Sequence, residues 1–223
     1  MRAFIAFDLD GVLYNAEPFL GEAYRESIAR VNQRRPGSFP RVPSTREILD
    51  HVGWPVPVIL QRLFPKIDSE AVSLLYYETL PVIAEHVRRG EGVLFPGVGE
   101  ILAQLHGGGY RLGVASNGRR SYVEAVLTTY DLARFFVEIE AVESGSKTTK
   151  VDLLHIYIAR HDVDVHRMVM IGDRTSDVEA AQAIGCRFIG CDYGHGYREE
   201  IDGAGPIVST FAQLPGAIRE LGL

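Results

Sequence analysis

The sequence predicts an α/β fold: a parallel sheet with helices on both faces, joined to a small α-helical cap. Three features predict it. From about residue 93 onward, short apolar runs alternate with segments of helical periodicity, the pattern of strand–helix–strand units. A single earlier apolar run, residues 3–8, ends in acid and reads as a buried first strand. Between the two lies a proline-rich helical stretch that holds Pro18, Pro36, Pro40, Pro43, Pro55, Pro57, Pro65 and Pro81 of the chain's 11 prolines. It separates the first strand from the rest, so it must be an insert. The expected domains are an α/β core of residues 1–14 and 91–223 and a cap of residues 15–90.

The elements follow in order. Phe19, Leu20, Ala23, Tyr24, Ser27, Ile28 and Val31 recur at helix spacing, and Pro18 sits in the first turn, where a missing N–H costs nothing. Residues 34–40 form a loop. Ser44-Thr45-Arg46-Glu47 is a capping-box pattern that starts a new helix. Another helix runs from Asp68 towards Leu80, packing Ala71, Leu74 and Leu75. Pro96-Gly97 precedes a helix through Leu105, which Gly107-Gly108-Gly109 stops. Tyr110 to Ala115 is a strand ending at Ser116-Asn117-Gly118, followed by a helix over 120–129 and a strand over Phe136 to Val142. Residues 150–160 form a helix with Val151, Leu154 and Ile158 on its apolar face. Arg167 to Ile171 is a strand ending at Gly172-Asp173. Ala180, Ala181 and Ile184 mark the next helix and Gly185 its end. Short strands near 187–190 and 206–208 precede a last helix to about Leu221.

Composition bounds the function. The 223 residues are 46% hydrophobic, ample for a core and too apolar for disorder. No stretch approaches the roughly 18 uninterrupted apolar residues of a membrane span, and Asp8 interrupts what a signal peptide would need to keep apolar. A cytoplasmic protein is expected, with neither membrane nor nucleic acid as partner, since the net charge is −6 and the pI about 5.7. Cys186 and Cys191 read as two buried reduced thiols, because no second Cys or His pair stands at zinc-ligand spacing.

Chemistry concentrates where strands end, which is where open parallel sheets bind ligands. The first strand runs into Asp8-Leu9-Asp10-Gly11, the second into Ser116-Asn117-Gly118, and a later one into Gly172-Asp173-Arg174-Thr175-Ser176-Asp177. Two charges 4 Å apart repel by about 4 kcal/mol at an effective dielectric near 20, so converging carboxylates stay ionised only around a cation. All-oxygen ligands suit a hard ion such as Mg²⁺. Among the three lysines, Lys66, Lys147 and Lys150, two fall within four residues at a helix start. An ammonium there suits a point contact to phosphate.

In these motifs the sequence resembles the haloacid dehalogenase superfamily, in the branch with a helical cap after the first strand. Asp8-Leu9-Asp10-Gly11, Ser116-Asn117, Lys150 and Gly172-Asp173 with Asp177 stand in that family's order. Gly185-Cys186-Arg187-Phe188-Ile189-Gly190, Tyr193-Gly194-His195-Gly196 and Ile207-Val208 resemble the phosphoglycolate phosphatase-like group. The resemblance implies a Rossmann-like core and a Mg²⁺-dependent phosphatase acting on a small phosphorylated metabolite, phosphoglycolate or a sugar phosphate, as a monomer or homodimer. It implies Asp8 as the nucleophile that forms an aspartyl-phosphate, and Asp10 as general acid and base. It implies Mg²⁺ on Asp8, the Asp10 carbonyl and Asp173, with Asp177 behind them. It implies Ser116, Asn117 and Lys150 on the phosphoryl oxygens, with Lys150 preferred to Lys147 by helix register. An acid at Asp10 favours phosphate esters over halides, because an alkoxide must be protonated to leave.

Other readings stay open. The family often carries a carboxylate where Asn15 stands and a lysine where Gly118-Arg119-Arg120 stands; both positions border the substrate pocket. A phosphomutase of the β-phosphoglucomutase type and an inorganic pyrophosphatase use the same scaffold. A phosphonate hydrolase would need Lys66, which sits in a turn-like setting, and a non-catalytic binding protein would have no reason to keep clustered charge. Arg119 and Arg120 are either a solvated pair or contacts to anionic substrate. His195 is either a pocket or a turn residue, Trp54 is a lid contact on the cap side or, by default, part of the cap core, and His161 to His166 reads as the loop before a strand rather than a second metal site.

Overall fold

A computed structural model describes residues 2–142 and 148–223. In chain order it contains β1 (Phe4–Phe7), β2 (Tyr14–Asn15), α1 (Glu17–Arg34), α2 (Thr45–Leu49), α3 (Val56–Leu63), α4 (Ser69–Arg88), β3 (Val93–Leu94), α5 (Val98–Gly107) and β4 (Arg111–Arg119). There follow α6 (Arg120–Thr129), β5 (Phe136–Val142), α7 (Lys150–His161), β6 (Met168–Gly172), α8 (Thr175–Ile184), β7 (Arg187–Cys191), α9 (Arg198–Ile201), β8 (Ile207–Val208) and α10 (Leu214–Glu220).

Six strands form one parallel sheet in the order β5-β4-β1-β6-β7-β8. The period of two sorts its side chains onto opposite faces. Ile5, Phe7, Leu112, Val114, Val169 and Ile171 enter one apolar cluster, while Phe4, Ala6, Met168, Met170 and Phe188 enter another. Each fully buried side chain of this size contributes about 1.5–3 kcal/mol. The chain leaves β1 towards β4 and β5 on one side and returns to β6 on the other, so the crevice opens where β1 and β6 end.

The insert builds an apolar cluster of its own. Leu20, Tyr24 and Ile28 of α1, Ile48 and Leu49 of α2, Ile59, Leu60 and Leu63 of α3 and Leu75 of α4 pack together. The seven α1 positions expected inside are the seven buried. Ser44 caps α2 by accepting from the Glu47 amide, and the Glu47 carboxylate accepts from the Ser44 amide in return.

The structure departs from these expectations at the end of α4, in added elements and at one thiol. Helix α4 does not stop near Leu80 but continues through Pro81 to Arg88. Pro81 withdraws a hydrogen bond from the turn of exposed Tyr77, while Val82 and Val87 beyond it are buried, and that burial outweighs the lost bond. Helix α3 and the antiparallel pair β2–β3 were not foreseen; two residues per strand are too few to show a period. Of the two thiols only Cys191 is buried; Cys186 is partly exposed, and both are free. Leu74 packs against the same cluster as Ala71 and Leu75, as expected, but stays half-buried at its edge.

Candidate active site

Asp8 prolongs β1: its amide donates to Ile171 O of β6 (2.9 Å), and its Oδ1 accepts from the Leu9 amide (2.8 Å). The chain then turns tightly, with the Leu13 and Tyr14 amides both donating to Leu9 O. Gly11 has φ +80°, and a Cβ there would stand 2.2 Å from Asp173 Oδ2. Only glycine lets this turn lie against the Asp173 carboxylate.

Asp173 follows β6, the neighbour of β1. Its Oδ2 accepts from the amides of His195 (2.8 Å) and Gly196 (3.0 Å). A Cβ on Gly196 would fall 1.9 Å from Asp173 O, so the same close approach requires glycine. Asp177, in the first turn of α8, receives the Asp173 and Arg174 amides on Oδ2 (3.2 and 3.0 Å). Its Oδ1 accepts from Lys150 Nζ (2.5 Å), which also lies 2.9 Å from Asp8 Oδ2. Lys150 arrives there because Thr149 and Asp152 form a capping box that opens α7 at its own position. Lys147 lies outside the described residues.

This cluster is electrostatically tense. Burial pushes the Asp8 carboxyl up to about 7, Asp177 and Asp173 push in the same direction, and Lys150 opposes them. Burial and then Asp177 push Asp173 to about 7 as well, against its amide donors. Burial works against the Lys150 charge, yet Asp177 and Asp8 more than offset it and hold the ammonium above its ordinary range. Oxygens of Asp8, Asp173 and Asp177 lie within 4.8 Å of one another, and buried Asp173 Oδ1 has no hydrogen-bond partner among the described residues. Three acids around an unsatisfied oxygen fit a hard divalent cation, which would relieve both the repulsion and the missing contact.

Asp10 stands apart from this trio at the floor of the adjoining cleft, and its Oδ1 accepts from Tyr122 Oη (2.5 Å). Burial pushes Asp10 up to about 7, and the Tyr122 hydrogen bond opposes that. Burial and the Asp10 charge keep the Tyr122 phenol protonated, so it is the donor. Buried Ser116 accepts the Gly118 amide on Oγ (3.0 Å), which leaves its hydroxyl hydrogen available to another acceptor. Asn117 Nδ2 donates to Gly53 O (2.8 Å), linking the end of β4 to the helical insert.

Tyr122 was not foreseen. Its signal is its place in the first turn of the helix after Ser116-Asn117, which aims it back at the strand ends. Arg174, within the motif that follows β6, has a structural part that the sequence pattern does not show. It is buried, donates to Leu49 O (2.5 Å) and pairs with Glu200 (2.8 Å), tying the Asp173 loop to α2. Trp54, half-buried, packs against the insert's apolar cluster as expected and also lines the cleft, with the Arg62 guanidinium 4.3 Å from its ring centre. Arg119 lies over the Tyr76 ring (4.4 Å) and lines the cleft. Arg120 instead binds Ile139 O (2.7 Å) and Glu140 (3.3 Å), so the two are not a solvated pair. His195 is buried with its amide on Asp173, and Asn15 Oδ1 caps the Glu17 amide (2.9 Å). Lys66 is exposed and His161 pairs with Glu138 (2.8 Å). Among the described residues no helix is long and apolar enough to cross a membrane.

Comparison with known proteins gives a consistent picture. A family model described as haloacid dehalogenase-like hydrolase matches residues 5–191. A phosphoglycolate phosphatase of Yersinia pseudotuberculosis is 30% identical over 221 residues, 96% of this chain and 92% of that one. One from Photobacterium profundum is 25% identical over 225 residues, 97% and 95% of the two chains. The crystal structure of a predicted phosphoglycolate phosphatase from Haemophilus somnus superposes with a TM-score of 0.84 at 23% identity, covering 96% of this chain and 97% of the other.

Proposed function

This chain belongs to the haloacid dehalogenase-like hydrolases and is a phosphatase, and from that premise we propose that it hydrolyses a small phosphomonoester with the help of Mg²⁺. The observation that supports this most is the junction of Asp8, Asp173 and Asp177 with Lys150 at the ends of β1 and β6. We assign the cation to Asp8, the Asp10 carbonyl and Asp173, with Asp177 anchoring the Asp173 loop. When bound, Mg²⁺ would supply positive charge to the carboxylates and to the phosphoryl oxygens.

The reaction follows from the side chains. An Asp8 carboxylate oxygen attacks phosphorus, the ester P–O bond breaks, and the leaving alkoxide takes the proton of the Asp10 carboxyl. Water then attacks the acyl phosphate and gives its proton to Asp10, while the bond from phosphorus to Asp8 breaks and inorganic phosphate departs. Ser116, Asn117 and Lys150 hold the phosphoryl oxygens, whose charge must be stabilised throughout. Asn117 Nδ2 donates one of its two hydrogens to Gly53 O, which leaves the other for the phosphoryl group and ties its orientation to the position of the insert. We read residues 15–90 as a cap that shields the site, in a cytoplasmic monomer or homodimer. The relatives' name makes phosphoglycolate the first substrate to assay. Phosphate release across a panel of metabolite esters, with and without Mg²⁺, tests the reading; no release from any ester with Mg²⁺ present would overturn it.

Stability should report the cation independently. Asp8 and Asp173 have folded-state values near 7 against about 4 when unfolded, so without cation the fold binds more protons than the unfolded chain between those limits. Their contribution is complete below about pH 4 and is lost as pH rises through about 7. Cation-free protein should therefore melt at least ~5 °C lower at pH 8 than at pH 5.5. Mg²⁺ should raise the melting temperature more at pH 8, where it meets ionised ligands, as differential scanning fluorimetry would show.

A further inference from the structure

Resting on the phosphatase reading above, we infer that the alcohol half of the substrate is apolar and uncharged, an alkyl or aryl group rather than a carboxylate or a polyol. The cleft runs from Asp8 and Asp10 up between α1, α2, α3 and α4 to an open mouth. Asp10, the acid assigned to the leaving oxygen, lines this cleft and not the second opening beside Asn117 and Lys150, so the leaving group is placed in the cleft. Its walls there are Leu20, Ile48, Trp54, Ile59, Leu80 and Ile83.

Three polar groups in the cleft are committed elsewhere, while the Tyr24 and Ser121 hydroxyls that also line it have no hydrogen-bond partner among the described residues. Thr79 Oγ1 donates to Leu75 O within its own helix (2.5 Å), Asn117 to Gly53 O and Tyr122 to Asp10. Ser116 lies at the end of β4, beside the phosphoryl position proposed above, not in the apolar walls. A polyol would bury several hydroxyls against Leu and Ile side chains, each costing about 1–3 kcal/mol when unpaired. A carboxylate needs a cation, and Arg119 is the only one among the described residues that line the cleft. Its guanidinium lies over the Tyr76 ring, towards a second opening that Tyr76, Tyr77, Thr148 and Lys150 also line. An apolar alcohol meets none of these penalties and gains contact with six apolar walls.

The test is a series of n-alkyl phosphates from ethyl to hexyl, whose alcohols differ little in acidity, beside glycerol phosphate and phosphoglycolate, all with Mg²⁺. The inference expects kcat/KM to rise about three- to fourfold per methylene, with hexyl phosphate at least tenfold above glycerol phosphate and phosphoglycolate. Trp54→Ala should flatten the series, lowering kcat/KM for hexyl phosphate several-fold more than for ethyl phosphate. Leu80→Gln, at a half-buried position, repeats the test should the tryptophan variant fail to fold. A flat series, or phosphoglycolate as the best substrate, overturns the inference and leaves the phosphatase reading standing. If no ester is hydrolysed the phosphatase reading falls, and calorimetric binding of n-alkylphosphonates still decides: affinity climbing with chain length supports an apolar chamber, and affinity independent of length overturns it.

Discussion

Asp8→Asn is expected to slow phosphate release at least ~10³-fold while the protein stays folded. The carboxamide retains an Oδ1 that can accept the Leu9 amide, so the turn after β1 keeps its hydrogen bond. What it loses is the oxygen nucleophile and one negative charge. In a cluster where Asp173 and Asp177 already push the Asp8 carboxyl up, losing that charge relieves repulsion. At pH 8 without cation the variant should therefore melt no lower than the parent, and on balance higher. Activity and stability moving in opposite directions separates a nucleophile from a scaffold residue. A variant that hydrolysed esters within about tenfold of the parent would remove Asp8 from the role assigned to it. Steady-state phosphate release and a thermal melt on the same preparation settle the point.

The residues of the charged cluster were legible because each stands at a place that local rules mark. Asp8 and Asp173 close apolar runs, Lys150 follows a capping threonine, and Asp177 sits in the first turn of a helix whose end Gly185 marks. Neighbouring parallel strands then bring them together with no further information needed. Tyr122 and Arg174 were not legible as contributors, since their partners, Asp10 and Leu49 O, lie 112 and 125 residues away in sequence and no local pattern predicts such a meeting. The cleft is harder still. Helical periodicity marks Leu20 and Ile48 as apolar-face residues, and an apolar face reads the same whether another helix covers it or a chamber opens beside it. Trp54 shows the consequence: it packs against the insert's core, as expected, and at the same time stands at the cleft wall. Its neighbours Gly53 and Pro55 fix a turn, and the turn's direction is set by Arg174 and Asn117 on the far side.

Lys150→Met should cost stability as well as catalysis, and its pH dependence identifies the reason. Lys150, Asp8 and Asp177 have side chains no more than 2% exposed, and the ammonium lies between the two carboxylates at 2.9 and 2.5 Å. Taking away the cation leaves buried negative charge without a partner, a change worth about 3–5 kcal/mol. For a chain of this length that corresponds to a melting temperature lower by on the order of 10 °C. The loss should be largest at pH 8 without divalent cation. It should shrink near pH 5.5, where the Asp8 carboxyl, lifted towards 7, takes a proton in place of the missing ammonium. Methionine fills a similar volume, so an equal loss at both pH values would point to packing instead. Catalysis should fall at least ~10²-fold even at pH 5.5 with saturating Mg²⁺, because the phosphoryl group loses a fixed positive charge that protonating Asp8 cannot replace. Lys150→Arg keeps the charge but puts a planar fork where a compact ammonium touches two acids, so it should recover part of the stability and little of the activity. Lys147→Met should leave both unchanged, because Lys150 already occupies the place between Asp8 and Asp177.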